Sequence, residues 1–296
     1  MGGILLGRPI VPREHGAWAV LYGAFLAGVG VAGQVTLPVG FFFVAVTAAA
    51  LGNGPLTLLF RPAVGPARHA ERARALAWLA VYGGIFALAV LPLFLVYRLT
   101  FLIAFGAGAG CFLVVRAYLL RGRDDRSLAG ELLGAAGLTM VGPAAHAVAA
   151  RAAEPIGALL WLLLFLFFAS GVFYVRMRIR GILARRQGTA PAHRTAMERG
   201  SAAAALQSPS AHRTAYRSCA IYHLLLLVAL PLLAGLHLVP WAILLAFTPA
   251  LWRAAAGLRD QTGSLDIKRL GWSEVAQTIV FLALLVATLR LPDPLG

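Results

Sequence analysis

Pro12-Arg13-Glu14-His15-Gly16-Ala17-Trp18 stands in the doorway of the first long apolar run, and its reading decides the fold. An arginine, an acid, a histidine and an indole gather there, and from Ala17 to Gly33 no charge follows. Such a cluster sits where water ends and hydrocarbon begins. The rest of the chain repeats the arrangement, with apolar runs whose charges collect at one end, nearly always the same end.

Composition agrees. The 296 residues are 60% hydrophobic and 12% charged, with a mean hydropathy of +0.81. A soluble domain carries about 25% charged residues. This chain holds about half of that, too little to cover a water-facing surface, and residues 1–296 read as a single transmembrane domain. The balance is basic, 26 Lys and Arg against 11 Asp and Glu, for a net charge of +15. A basic chain can signal nucleic acid, but here the cations follow the apolar runs instead of forming a patch interleaved with aromatics. Cys111 and Cys219 lie far apart, with no metal or disulfide spacing.

Crossing about 30 Å of hydrocarbon takes about 20 apolar residues. Nine stretches qualify: 15–33, 38–60, 76–97, 99–120, 128–149, 155–175, 219–238, 239–256 and 271–290. With the N-terminus in the cytoplasm and the C-terminus outside, every basic residue except Arg98, Arg151 and Arg290 falls on the cytoplasmic side. That is the bias expected of membrane proteins. The expected fold is therefore an all-α polytopic bundle of nine transmembrane helices in the cell's inner membrane. The junctions at Arg98 and His237 leave room only for tight hairpins. Residues 176–218 form a long cytoplasmic loop, of which 187–212 is Ala-, Ser- and Gly-rich and expected to be disordered. It carries a short duplication, Ala192-His193-Arg194-Thr195-Ala196 and Ala211-His212-Arg213-Thr214-Ala215. Glycines at 23, 28 and 33, at 106, 108 and 110, and at 130, 134 and 137 offer close helix approach. Pro92, Pro143, Pro231 and Pro249 predict kinks.

Polar residues at the cytoplasmic ends of the spans are the candidate ligand-binding set. Glu14, Glu131 and Glu274 stand near the first turns of inward-starting spans, where a helix dipole favours an acid by about 0.3–1 kcal/mol. Charges at this depth otherwise need a partner, and Arg176 or Arg178 is the expected partner of Glu131 or Glu274. In Tyr174-Val175-Arg176-Met177-Arg178-Ile179-Arg180, residues 176 and 180 share a helix face. They either snorkel to anionic headgroups or grip a phosphate or carboxylate. Arg13, His15, Arg126 and Lys268 complete the ring of boundary residues.

The stretches PREHGAWA from Pro12, Arg126-Ser127-Leu128-Ala129-Gly130-Glu131-Leu132-Leu133-Gly134, the arginine-rich exit of the sixth span and Lys268-Arg269-Leu270-Gly271-Trp272-Ser273-Glu274 resemble the YwiC-like family of bacterial membrane proteins. That resemblance implies an integral membrane protein and brings no reaction with it. The layout is also similar, more distantly, to UbiA-type intramembrane prenyltransferases, which hold Mg²⁺ with acidic motifs after the second span and at the sixth. Asn53 and Tyr174 match those motifs, but the acidic positions are occupied by Gly54, Thr57 and Arg61 at the first, and by Gly171 and Met177 at the second. None of these side chains can hold Mg²⁺, so no metal or other cofactor is expected. The expected function is binding of a small anionic or lipid-like ligand, such as an isoprenoid, in a cytoplasm-facing cavity. Membrane lipids are the other expected partner. A divergent prenyl- or lipid-group transferase is the alternative, and a transporter ranks third because no internal half-repeat is visible.

Overall fold

A computed structural model of the chain describes residues 8–12, 15–60, 67–121, 127–188, 209–259 and 267–290, with only the backbone of His15, Lys268 and a few other helix-end residues. Among the described residues there are ten helices and no strand. They are α1 (His15–Ala32), α2 (Leu37–Phe60), α3 (Ala67–Leu95), α4 (Leu102–Arg121), α5 (Leu128–Thr139), α6 (Val141–Ala150), α7 (Ile156–Gly188), α8 (Pro209–Gly235), α9 (Ile243–Arg259) and α10 (Ile267–Arg290). Each apolar stretch anticipated above falls on one helix, except the fifth, which is made of α5 and α6 together.

Six stretches are long and apolar enough to cross a membrane: Leu37–Phe60, His69–Leu95, Leu128–Ala150, Ile156–Leu183, His212–Gly235 and Arg269–Arg290. Gly16–Ala32 and Leu102–Val115 are shorter apolar helices. This is a multi-pass, all-helical membrane protein. Its helices show why. On α8 the buried residues Ala215, Cys219, His223, Leu226, Leu230 and Ala234 recur at three- and four-residue spacing. The opposite face presents Ile221, Leu224, Leu225, Val228 and Leu232 outward. An apolar face of that length in water would be an aggregation site. Facing lipid, it needs no cover.

Several helices outrun the apolar stretches. Helix α7 continues through the arginines to Gly188, α8 already begins at Pro209, and α3 starts at Ala67. The exit after the sixth stretch is thus helical where a loop was expected, because long arginine stems suit a helix even where hydropathy has ended. The second copy of the duplication lies in α8; the first falls at 192–196, outside the described residues.

The chain divides into two compact units, Met1–Phe165 and Leu166–Gly296. In the first, α2 packs on α3, and α1 packs on α5 and α6. Its core gathers Phe25, Val39, Leu93, Leu99, Leu102 and Val148. The α1–α6 crossing is the tightest: a methyl group at Gly28 would overlap the Gly142 carbonyl oxygen, and one at Gly142 would overlap the Leu164 side chain. Not every glycine serves this purpose. Gly108 meets Met140 and Gly137 meets Phe112, whereas Gly106, Gly110 and Gly134 face open space. Helices run through Pro92, Pro231 and Pro249, and the fifth stretch alone among these is interrupted, at Met140, three residues before Pro143.

Three helix ends finish on a residue with left-handed backbone, Arg98 (φ 54°), Arg151 (φ 56°) and His237 (φ 56°). Past the turn, Leu99, Ala152 and Leu238 donate back to Leu93, Ala147 and Leu233, closing the orphaned carbonyls. The two tightest junctions are hairpins of this kind.

The α1–α6 crossing gives a first prediction. Gly28→Ala should lower stability by about 1–3 kcal/mol, as overpacking does, seen as a reduced melting temperature in detergent. Gly40→Ala, where nothing lies within 4 Å, should leave it unchanged or slightly raised.

Candidate functional site

In the second unit the end of α7 packs with α8, α9 and α10. An aromatic layer fills its interior: Phe167 stacks on Phe281 with centroids 3.8 Å apart, and Phe247 meets both rings edge-on. One to two turns further along α7 the interior turns polar.

Helix α9 buries Ile243, Ala246, Phe247, Ala250, Arg253, Ala254 and Gly257. Arg253 is therefore not a surface cation at a helix end. It occupies an interior position and is only 7% exposed. A bare charge there would be expensive, and three groups answer it. Nη1 forms an ion pair with Glu274 Oε1 of α10. The guanidinium lies over the Tyr174 ring of α7, 4.5 Å from its centroid, where the ring quadrupole attracts a cation. Nη2 makes a long contact, 3.5 Å, to Ser170 Oγ. Ser170 Oγ in turn lies 2.9 Å from His223 Nε2 of α8, and His223 Nδ1 lies 2.8 Å from the Cys219 carbonyl. A carbonyl can only accept, so Nδ1 carries the ring proton and Nε2 accepts from the serine hydroxyl. The result is one directed polar chain, Arg253 to Ser170 to His223 to the Cys219 carbonyl, anchored at its head by Glu274.

Small residues let this cluster close. A side chain at Gly257 would collide with the Tyr174 ring, and a methyl at Gly171 would sit 3.3 Å from Glu274 Oε2. Two polar atoms remain unmatched: Arg253 Nε is buried without a hydrogen-bond partner, as is Gln277 Oε1, one turn beyond Glu274 on α10. Leaving such a group buried and unpaired costs about 1–3 kcal/mol. The Nε/Nη2 edge of a guanidinium is also the edge that grips a carboxylate or phosphate with two parallel bonds.

Of the residues expected from sequence, Tyr174 and Glu274 belong to this cluster. The partner of Glu274 is Arg253, and not the Arg176 or Arg178 anticipated, because α9 brings its own guanidinium inside. Arg176, Arg178 and Arg180 are partly buried on α7, and each is engaged by neighbours. Glu131 sits in the first turn of α5, whose N-cap Ser127 accepts from Gly130 N at 3.1 Å. Asn53, in the first unit, lends its carbonyl to the Thr57 hydroxyl at 2.8 Å. His15 and Lys268 lie at the starts of α1 and α10 with undescribed side chains, while Arg13, Glu14, Arg61 and Arg126 fall outside the described residues. Arg253, Ser170 and His223 were missed. The signal for Arg253 was its place on the apolar stripe of α9, which the counting of loop charges concealed.

The cluster does not suit Mg²⁺. Its one carboxylate, Glu274, is already held by a cation, and Gly171 and Met177 add no donor. Among the described residues no three His, Cys, Asp or Glu side chains come together to hold a metal.

Comparison with known proteins places the first unit. Residues 11–146 match the family model for YwiC-like protein, so this part of the chain is similar to that family. No curated protein and no solved structure matches the chain. The YwiC-like stretch contains the PREHGAWA opening and the Glu131 block, and it ends before the Arg253 cluster begins.

The pairing fixes a stability test. Arg253→Met or Glu274→Leu alone should cost about 3–5 kcal/mol by stranding the other charge, while the double change should recover most of that loss. Thermal unfolding of the four proteins in one detergent measures it.

Proposed function

We propose that the chain is a nine-span protein of the bacterial inner membrane, N-terminus in and C-terminus out, that binds a small anionic or lipid-like ligand at the cytoplasmic ends of its second-unit helices. The topology rests on the distribution of basic residues. Two of the three exceptions, Arg98 and Arg151, have a separate job as left-handed helix caps, where a cation also complements the helix dipole.

The observation that carries the ligand reading is the unmatched Nε of the buried Arg253. Here Glu274 takes one side and Tyr174 the face, and the remaining edge has only a long contact to Ser170. The planar donors of that edge suit a phosphate or carboxylate oxygen. The lipid-facing helices supply an apolar surface for a tail. Ligand exchange would then be governed by Arg253, with Tyr174 and Glu274 holding it in place.

Topology is checked by cysteine labelling in whole cells. With Cys111 and Cys219 replaced, a cysteine at position 98, 151 or 237 should react with an impermeant maleimide from outside, and one at 72 should not. Labelling at 72 in intact cells would reverse the orientation.

Ligand binding is checked by native mass spectrometry of protein extracted gently from its own membranes. A discrete anionic species should be retained by the wild type and lost in Arg253→Lys, which keeps a cation for Glu274 but lacks the planar fork. A wild type carrying only heterogeneous bulk lipid would end the proposal.

A further inference from the structure

The first unit contains a cleft that the reading above leaves unused. It measures about 260 Å³ and is lined by Phe105 of α4, Met140, Pro143 and His146 of the α5–α6 segment, Glu154 just before α7 and Trp161 on α7. For scale, a dry cavity of about 150 Å³ accepts benzene, so this one has room for a ring with a short side chain.

Its walls are apolar, and its polar end is built from two groups. The His146 side chain is 5% exposed and that of Glu154 is 50% exposed, with Nε2 of the first 3.8 Å from Oε2 of the second. That gap is too long for a hydrogen bond. His146 Nδ1 is also buried without a partner. The buried imidazole thus has one nitrogen without a mate and the other held 3.8 Å from a carboxylate at the cleft. The nearest cation in sequence, Arg151, is turned away over the Tyr97 ring, 5.7 Å from its centroid. The indole N–H of Trp161 is spent on the Ala136 carbonyl at 3.0 Å.

We infer that this cleft binds a primary ammonium group carried on an apolar or aromatic body. With the ring proton on Nδ1, Nε2 and the Glu154 carboxylate are two acceptors 3.8 Å apart, and one ammonium nitrogen about 2.8 Å from each bridges them at charge-assisted distances. The Glu154 carboxylate supplies the charge that selects ammonium over a neutral donor. Phe105 and Trp161 offer the aromatic surface on which the body and the cation both rest well. The ammonium could be borne by a free amine or by an aminophospholipid headgroup, since both present the same chemistry.

The test is equilibrium dialysis of 2-phenylethylamine against the full chain in phosphatidylcholine nanodiscs, with empty nanodiscs subtracted and 2-phenylethanol as the uncharged match. The amine should bind saturably and about tenfold or more tighter than the alcohol, as loss of one hydrogen bond to a charged group predicts. Glu154→Gln, in an exposed turn, should erase that preference. Ala158→Trp, at an exposed position on the cleft wall, should abolish binding of both probes while the melting temperature holds. Equal binding of amine and alcohol, or a preference that survives Glu154→Gln, overturns the assignment. Adding phosphatidylethanolamine to the nanodiscs tells the sources apart: competition with the amine identifies a lipid-borne ammonium, and unchanged binding a free one. Failure of this test leaves the Arg253 site untouched, because the two share no residue.

Discussion

The second unit depends on one guanidinium. In lipid, helices gain little from burying apolar surface against each other, since hydrocarbon is as apolar as leucine. What then decides which helix sits where is close packing and the few polar links. Arg253 reaches three helices besides its own: Glu274 on α10, Tyr174 and Ser170 on α7, and through Ser170 the His223 of α8. Each such link is worth about 1 kcal/mol in a membrane. Together they favour one arrangement of four helices over slipped alternatives in which the charges would be stranded. The anion grip proposed for the cluster would use the same guanidinium that orders these helices.

How much of this was legible in the sequence differs by level. Helix positions were nearly all readable, because lipid imposes a length and an apolar content on each crossing. The α8 stripes show why the reading works, with Leu224, Leu225 and Val228 outward and Leu226 and Leu230 inward. Helix ends were not readable from hydropathy, which reports transfer into hydrocarbon and falls silent once a helix leaves it, as at Arg176 to Gly188. The site was half legible. Glu274 stood out as an acid near the start of an apolar span, and Tyr174 through its match to the UbiA-type motif. Arg253 did not, because an arginine near the end of an apolar run reads by default as a snorkelling cation. Only the periodicity from Ile243 through Ala246, Ala250 and Gly257 places it inside.

The same ambiguity affected the small residues. Triplets of glycine suggested three contact faces, yet in the triplet at 106, 108 and 110 only Gly108 meets another element, and in the α5 triplet Gly137 does while Gly134 does not. Close approach is a property of one crossing point between two helices, and a repeat along one helix cannot specify where the partner crosses. Gly28 is different because its partner is itself a glycine, Gly142, so both backbones come together with nothing between them.

Thr139-Met140-Val141-Gly142-Pro143 carries this argument furthest. As sequence it is part of an apolar run in which Pro143 predicts a kink. Pro143 has no N–H to offer the carbonyl of Thr139, and the helix breaks at Met140. In hydrocarbon the freed groups must be satisfied from within. The Thr139 hydroxyl turns back to Ala135 and Ala136, and the Trp161 indole closes on Ala136. That last bond holds Trp161 at the cleft, while Met140 and Pro143 become its wall. Gly142, in the same stretch, admits α1. The break at Met140 thus sets the wall of the cleft beside the α1–α6 crossing.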